Sequence, residues 1–265
     1  MDWSQIIWLS ILQGLTEFLP VSSSGHLALA PSMLGWFDQG LAFDVAVHVG
    51  TLIAVLGYFH EDFRLLIREW VRSIITSRST FQSNMAWCIL FATVFIGLIG
   101  FLIEGIVSTL ARNPISIAIA TIGFGLLLGA ADLWGRRVRE FNEIRTRDML
   151  LIGVVQILAL IPGTSRSGVT LTAGMAMGLT RKAAARFSFL MAAPVIFIAG
   201  GWEGYQLITD SKPIDWPKLS VAIGLSASIA FLCIRYFLRY LERYSLMPFV
   251  WYRLILGVII LSLFL

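Results

Sequence analysis

Two short polar segments interrupt long apolar stretches of this sequence, and they hold the residue types best suited to chemistry. The first contains Glu17, Ser23 and His26, and the second is centred on Arg166. Imidazole can attack phosphorus itself, or serve as base for a serine hydroxyl and later as acid for the leaving oxygen. A guanidinium is a forked donor that suits phosphate oxygens. Together these groups indicate phosphoryl transfer.

Serine and threonine side chains precede a second short helix in each polar segment. Ser22–Ser24 come before a helix predicted at about 24–34, and Thr164–Ser167 before one at about 167–178. These residues are good N-caps, so two helix N-termini point inward with unpaired N–H groups and positive dipole ends. Both ends favour an anion such as phosphate. Ser22, Ser165 and Ser167 are therefore candidate phosphate-binding residues, with simple capping as the alternative.

Glu17 is the only acid of the first polar segment. It is spaced i, i+4 from Gln13, which places both side chains on one helical face. The carboxylate can hold a divalent cation through hard oxygen ligands, with Gln13 as a second ligand, or it can orient His26. The alternative is an ion pair with Arg166 that joins the two segments.

The other ionisable residues in apolar surroundings give weaker signals. His48 and His60 lie outside the two polar segments that hold Glu17, the serines and Arg166, and we interpret both as structural or interfacial. Asp132 and Glu203 lie near predicted helix ends, where interfacial solvation explains them.

The composition places these segments in a membrane protein. Of 265 residues, 57% are hydrophobic and only 14% are charged, against about 25% in a soluble domain. Apolar runs near the ~20 residues needed to cross a bilayer occur six times, at about 42–60, 84–104, 113–134, 184–209, 217–238 and 247–265. We therefore predict an all-α polytopic membrane protein. The net charge of +4 reflects basic residues clustered in short loops, among them a predicted loop after the first span that holds Arg64, Arg68, Arg72 and Arg78. These charges report orientation and indicate no nucleic-acid partner.

The two broken segments do not fit the spanning pattern. Residues 5–19 and 149–161 are too short to cross before the chain breaks. Non-helical backbone survives at membrane depth only where it is buried or lines a wet cavity. We therefore predict two re-entrant hairpins, at 5–34 and 149–178.

The hairpins belong to an internal repeat, because an offset of 143 residues aligns Gln13 with Gln156, Ser22 with Ser165 and Gly25 with Gly168. The first repeat covers about 1–134 and the second about 147–265, within a single membrane domain. Three spans separate the hairpins, so they enter from opposite faces and the repeat is inverted. Their tips can meet near the midplane, which is the predicted site.

The segments Gln13–His26 and Pro162–Thr170 resemble the two signatures of bacterial undecaprenyl-diphosphate phosphatases of the bacitracin-resistance type. The resemblance covers essentially the whole chain. It implies hydrolysis of undecaprenyl diphosphate to the monophosphate carrier used for peptidoglycan, with a divalent cation such as Mg or Ca. It also implies functional roles for the set Glu17, Ser23, His26, Ser165, Arg166 and Thr170.

The residues and the resemblance lead to one mechanism. The diphosphate enters between the hairpin tips, Arg166 and the helix N-termini hold its oxygens, and a cation bridged by Glu17 neutralises charge. We favour His26 as nucleophile, with Ser23 as the competing choice. The prenyl tail stays in the lipid, and the site faces the periplasm or the exterior of a bacterial plasma membrane.

A transporter or flippase for a phosphorylated lipid is the rival hypothesis, because inverted repeats with broken helices are a transporter architecture. The asymmetry of the repeat favours an enzyme: Glu17 aligns with Leu160, and His26 aligns with Val169. The two functions do not exclude each other. The oligomeric state stays open, with a homodimer as one alternative.

Overall fold

A computed structural model of the chain describes residues 1–36, 38–111, 113–209 and 215–264. Its helices, in chain order, are α1 (Trp3–Thr16), α2 (Ser23–Leu34), α3 (Leu41–Tyr58), α4 (His60–Thr76), α5 (Phe81–Leu102), α6 (Glu104–Ala111), α7 (Pro114–Trp134), α8 (Thr146–Val155), α9 (Arg166–Ala176), α10 (Arg181–Thr209), α11 (Trp216–Tyr240) and α12 (Met247–Phe264). Single turns of 3-10 helix occur at Phe141–Glu143 and Gln156–Leu160.

Six of these helices are long and apolar enough to cross a membrane: α3, α5, α7, α10, α11 and α12. They coincide with the six predicted spans, so the prediction of an all-α polytopic membrane protein is confirmed. Leu265, the end of the last predicted span, lies outside the described residues.

Helix α4 occupies the stretch after the first span that was predicted to be a loop. Its arginines Arg64 and Arg68 are exposed, while Leu66 is buried and Trp70 packs against the main apolar core. A helix with one apolar and one charged face fits the surface of a membrane protein. The charges that marked this stretch as a loop are therefore the outer face of an amphipathic helix.

Each polar segment folds as a helix, a sharp turn and a second helix. Helix α1 starts at a capping box formed by Asp2 and Gln5, and ends before Pro20, whose ring cannot continue a helix. The second segment turns at Gly163, which has φ +90 and approaches so closely that a Cβ would lie 2.4 Å from the Ile117 carbonyl oxygen. The predicted short helices appear as α2 and α9.

Close helix packing holds the segments inside the bundle. Helix α1 packs against α11, and α8 packs against α5. A Cβ added at Gly14 of α1 would lie 2.9 Å from the Ser226 carbonyl oxygen, and one at Gly50 of α3 would lie 2.5 Å from that of Ile223. Small residues allow such approach between membrane helices. Helix α11 is thereby pressed against both α1 and α3.

Asp132 is part of the packing, which corrects the expectation that interfacial solvation explains it. Its side chain is fully buried in α7. It accepts hydrogen bonds from the Arg181 guanidinium and, at 3.0 Å, from the backbone N–H of Leu246. The carboxylate therefore ties α7 to α10 and to the segment that enters α12.

Candidate active site

The two sharp turns have the same local geometry at equivalent positions of the repeat. Ser22 and Ser165 both have positive φ, +73 and +71. The Ser22 hydroxyl accepts a hydrogen bond from the N–H of Gly25 at 3.3 Å, and the Ser165 hydroxyl accepts one from Gly168 at 3.2 Å. Non-glycine residues seldom adopt this backbone conformation, which concentrates at functional sites. Each serine caps a helix N-terminus that faces the same space.

Glu17 and Arg166 join the two segments across the site. The Arg166 Nη2 group donates to Glu17 Oε1 at 3.1 Å, and both side chains are largely buried. A second contact between the segments runs from the Ser167 hydroxyl to the Leu19 carbonyl oxygen at 2.8 Å. The ion pair considered from the sequence is therefore present, and it lies in the wall of a cavity.

The second oxygen of Glu17 faces Ser23. The Ser23 hydroxyl donates to Glu17 Oε2 at 2.7 Å, and the Gln13 side-chain amide donates to the same oxygen at 3.1 Å. A serine hydroxyl within hydrogen-bond reach of a carboxylate is the arrangement expected of a nucleophile and its base. Gln13 holds the carboxylate from behind.

A cavity of about 210 Å³ has a polar wall that comprises Glu17, Ser22, Ser23, Ser24, His48, Ser165, Arg166 and Glu203. Its apolar wall comes mainly from α5, α10 and the turn before α9. The structure thus brings together most of the residues predicted from the two polar segments.

His26 does not line this cavity. It faces a separate, mostly apolar cavity with Leu29 and Trp36. Its Nδ1 atom bonds the Ser22 carbonyl oxygen at 2.7 Å, and its Nε2 atom bonds the Tyr252 hydroxyl at 2.5 Å. A carbonyl can only accept, so Nδ1 carries a proton, and both ring nitrogens have a protein partner. The imidazole therefore stabilises the turn at Ser22 from the side opposite the cavity.

Ser167 and Thr170 also lie beside the cavity and not in its wall. Both side chains are fully buried. The Thr170 hydroxyl lies 2.7 Å from the hydroxyl of Ser188, whose backbone carbonyl accepts a hydrogen bond from Arg166 Nη1 at 3.1 Å. Thr170 and Ser188 thus fix α9 and α10 around the guanidinium. Ser188 carried no sequence signal of this role.

His48 is the imidazole that faces the cavity, although the sequence reading treated it as structural or interfacial. Its Nδ1–H donates to the Asp44 carbonyl oxygen at 2.7 Å, which leaves Nε2 toward Glu17 Oε2 at 4.0 Å. Glu203 of α10 lines the same wall. One feature of the sequence could have indicated a role for His48: it is an ionisable residue inside a predicted span, and such residues usually serve a function.

The oxygen donors at the cavity fit a divalent cation that binds together with phosphate. Within the described residues, His, Cys, Asp and Glu do not form a group of three or more that could hold a metal alone. Mg²⁺ commonly binds one or two carboxylates plus substrate phosphates, and Glu17 and Glu203 supply two carboxylates. Gln13 does not line the cavity, but its Oε1 atom is buried and has no hydrogen-bond partner among the described residues.

The fold and the site define an α-helical integral membrane protein with a polar cavity between its helices. Two serine-capped N-termini, a guanidinium and a serine–carboxylate pair converge on one cavity. This is the class in which the comparisons with known proteins place the chain.

The chain belongs to the bacitracin resistance protein BacA family, which it matches over residues 6–259. It is 48% identical over 264 residues to a protein of Nitrosococcus oceani named undecaprenyl-diphosphatase, with 100% of both chains covered. It is 50% identical over 267 residues to undecaprenyl-diphosphatase 2 of Stutzerimonas stutzeri, covering 100% of this chain and 99% of that protein. The similarity includes both polar segments and all six spanning helices.

Proposed function

We propose that this protein hydrolyses undecaprenyl diphosphate to undecaprenyl phosphate and inorganic phosphate, and so recycles the lipid carrier of cell-wall synthesis. The observation that carries the proposal is the hydrogen bond from the Ser23 hydroxyl to Glu17, in a cavity that the Arg166 guanidinium also lines. The names of the full-length relatives support the substrate. The description of the family as bacitracin resistance proteins supports a role of this reaction in resistance to bacitracin.

The terminal phosphate binds at the two helix N-termini and Arg166. Glu17 and the Ser188 carbonyl take two of the five N–H groups of the guanidinium, so further donors serve phosphate oxygens. The N–H groups and dipoles of α2 and α9 act on the same charge, because both helices begin at the cavity. These fixed donors stabilise the charge of the transferring phosphoryl group.

Ser23 is the nucleophile in this mechanism. Its oxygen attacks the terminal phosphorus, Glu17 takes the hydroxyl proton, and the bond to the bridging oxygen breaks to release undecaprenyl phosphate. Water then attacks the phosphoserine, the Ser23 oxygen regains a proton through Glu17, and inorganic phosphate leaves. His26 is the competing candidate, but both its ring nitrogens are bonded away from the cavity.

A divalent cation at Glu17 and Glu203 would supply positive charge to the diphosphate when bound. Glu17 and Gln13 are the ligands predicted from sequence, and Glu203 joins them through its place in the cavity wall. We propose that hydrolysis depends on this cation, which is Mg or Ca.

The prenyl tail fits an apolar groove that adjoins the cavity. Ile96, Val195 and Ile196 line the cavity, while Ile89, Pro194 and Phe197 of the same two helices line the groove. The lining of the groove is almost entirely apolar, with further residues from α3 and α4. The tail would pass between α5 and α10 and exchange contacts with membrane lipid for contacts with these side chains.

We propose a location in the bacterial plasma membrane with the cavity open to the periplasm or exterior. The arginines of α4 and of the segment after α7 support this orientation, since positive charge favours the cytoplasmic side. It makes α1–α2 and α8–α9 re-entrant hairpins that enter from opposite faces. The matching turns at Ser22 and Ser165 support an inverted repeat.

Lipid translocation is a second candidate, favoured by the matched serine turns of the two repeats. The asymmetric pair of Ser23 and Glu17 favours hydrolysis, because a site that only carries lipid across needs no nucleophile with a base.

Phosphate release by purified protein in detergent with Mg²⁺ and undecaprenyl diphosphate tests the proposal. We expect Ser23→Ala to lose at least ~10³-fold in kcat, because the attacking atom is absent. Ser228→Ala, which removes an exposed hydroxyl bonded only to its own helix, is the matched control. Mass spectrometry of quenched turnover should place the phosphate on Ser23. Phosphate on His26, or full activity of Ser23→Ala, would overturn the serine mechanism.

A further inference from the structure

A fully buried arginine in α12 joins the two polar turns from behind the cavity. The Arg253 guanidinium donates to the Pro20 carbonyl oxygen at 3.2 Å, to that of Gly163 at 3.0 Å and to that of Thr121 at 3.1 Å. Its partners are thus three backbone carbonyls on three separate segments. A buried cation that is held by carbonyl oxygens, with no carboxylate partner among the described residues, costs free energy in an apolar protein interior.

The two loop carbonyls occupy equivalent positions of the repeat. Pro20 precedes Ser22 by two residues, and Gly163 precedes Ser165 by two residues. Each carbonyl therefore lies just before a serine that caps a helix N-terminus at the cavity. One planar group bonds the same point of both turns, so the distance between the turns is set by the size of a guanidinium.

The packing leaves the guanidinium little freedom. A Cβ added at Gly168 would lie 3.0 Å from Arg253 Nη1, and one at Gly125 of α7 would lie 3.2 Å from the Arg253 Cβ atom. The absence of side chains at these two positions lets the arginine fit between α7 and α9. Its neighbour Tyr252 bonds His26, which in turn bonds the Ser22 carbonyl oxygen.

We propose that Arg253 is a positioning residue that fixes the separation and orientation of the N-termini of α2 and α9. Ser23 is the first residue of α2, and Arg166 is the first residue of α9. Arg253 thereby sets how the hydroxyl meets a phosphate bound to Arg166, without touching the substrate itself. This inference rests on the proposed phosphatase function, and it adds a residue outside the two polar segments.

The expected effect follows from the sensitivity of phosphoryl transfer to alignment. A displacement of about 1 Å at a reacting group can cost ~10²-fold in rate. Arg253→Met keeps the length and apolar stem of the side chain but removes the fork. We expect a fall in kcat of about 100-fold. Arg253→Lys keeps the charge, but one ammonium cannot bridge three carbonyls on three segments, so we expect kcat at least ~10-fold below wild type.

The experiment compares wild type, Arg253→Met, Arg253→Lys and the control Arg235→Met, whose arginine is exposed on α11. Each purified protein is assayed for kcat and KM with undecaprenyl diphosphate. Hydrogen–deuterium exchange is measured in parallel on the same samples without substrate. In Arg253→Met we expect faster exchange in residues 17–26 and 161–168 together, and unchanged exchange in α3 and α5.

Paired, local loosening of the two turns with lower kcat supports the positioning role, because a general loss of stability would raise exchange throughout the bundle. Unchanged turns, bundle-wide exchange in Arg253→Met, or an Arg253→Lys variant as active as wild type would overturn it. Hydrogen–deuterium exchange is measured without substrate, so its result does not depend on catalysis. If wild type releases no phosphate, that result refutes the phosphatase function and leaves the exchange test of Arg253 intact.

Discussion

Replacing Glu17 by glutamine separates its role in the chemical step from its role in substrate binding. The substitution preserves the shape of the side chain but removes the negatively charged carboxylate, which accepts the hydrogen bond of the Ser23 hydroxyl and forms the ion pair with Arg166. Removing a positioned general base costs ~10² to 10⁴-fold in rate, or about 3–5 kcal/mol of barrier. We therefore expect kcat for undecaprenyl diphosphate to fall within that range.

The binding of substrate should respond in the opposite direction. In wild type the carboxylate competes with phosphate for the guanidinium of Arg166, and it repels the negatively charged diphosphate. Like charges about 5 Å apart repel by roughly 3 kcal/mol at an effective dielectric constant of about 20, which is an upper limit in a cavity that contains water. We expect KM, measured with Mg²⁺ in excess so that Glu203 and the diphosphate still hold the cation, to stay constant or fall by up to about tenfold in Glu17→Gln.

Steady-state phosphate release over a range of substrate concentrations measures both constants, and Glu242→Gln, which changes an exposed carboxylate, is the control. A normal kcat with a KM raised more than tenfold would refute this reasoning. It would mean that Glu17 serves only to bind substrate, for example through a cation, and takes no proton from Ser23.

Two further predictions concern the tail groove and a charged pair outside the spanning helices. Leu56 lies at a part-exposed position of the groove, and Leu56→Trp should lower kcat/KM for undecaprenyl diphosphate by about tenfold, equal to 1.4 kcal/mol. The same variant should leave kcat/KM for the short substrate farnesyl diphosphate unchanged. An equal loss on both substrates, or a loss in the control Leu126→Trp on α7, contradicts the proposed path of the tail. Burial works to raise the pKa of Asp148, but hydrogen bonds from Arg139 and from the Arg145 N–H lower it below the ordinary value of 3.8. The pair therefore stabilises the fold above that value and ceases to do so as pH falls through the lower folded-state pKa. Asp148→Asn should lower the unfolding temperature at pH 7 and lower it less at pH 3, and an equal deficit at both would show that charge is not the cause.

The spanning helices and the two turns could be predicted from the sequence because their signals are local. An apolar run such as 113–134 shows its length directly, and Pro20 and Pro162 mark where a helix must stop. The cap by Ser165 follows from residue type and position. The helical nature of α4 was missed because its arginines were read as loop charges, although Leu66 and Trp70 recur at helical spacing.

Which residues line the cavity could not be predicted from such local signals. His26 is close to Ser23 in sequence but bonds away from it, whereas His48 is distant in sequence and lies beside Glu17. Which face of α3 meets the turn depends on packing against α10 and α11. Arg253 was missed for the same reason, because its three partners lie on segments that only the fold brings together.

The matched turns assign different tasks to corresponding residues of the two halves. Ser23 and Arg166 are equivalent in the repeat and both open a helix at the cavity, yet one carries a hydroxyl and the other a fixed charge. Leu160, the counterpart of Glu17, lines the cavity as well. In the proposed mechanism the scaffold thus duplicates the anion-binding helix N-terminus, while the pair of nucleophile and base exists once. Capture and cleavage are separable properties of this architecture, and a homologue whose first half carried apolar residues at positions 17 and 23 would retain a receptor for phosphorylated lipids.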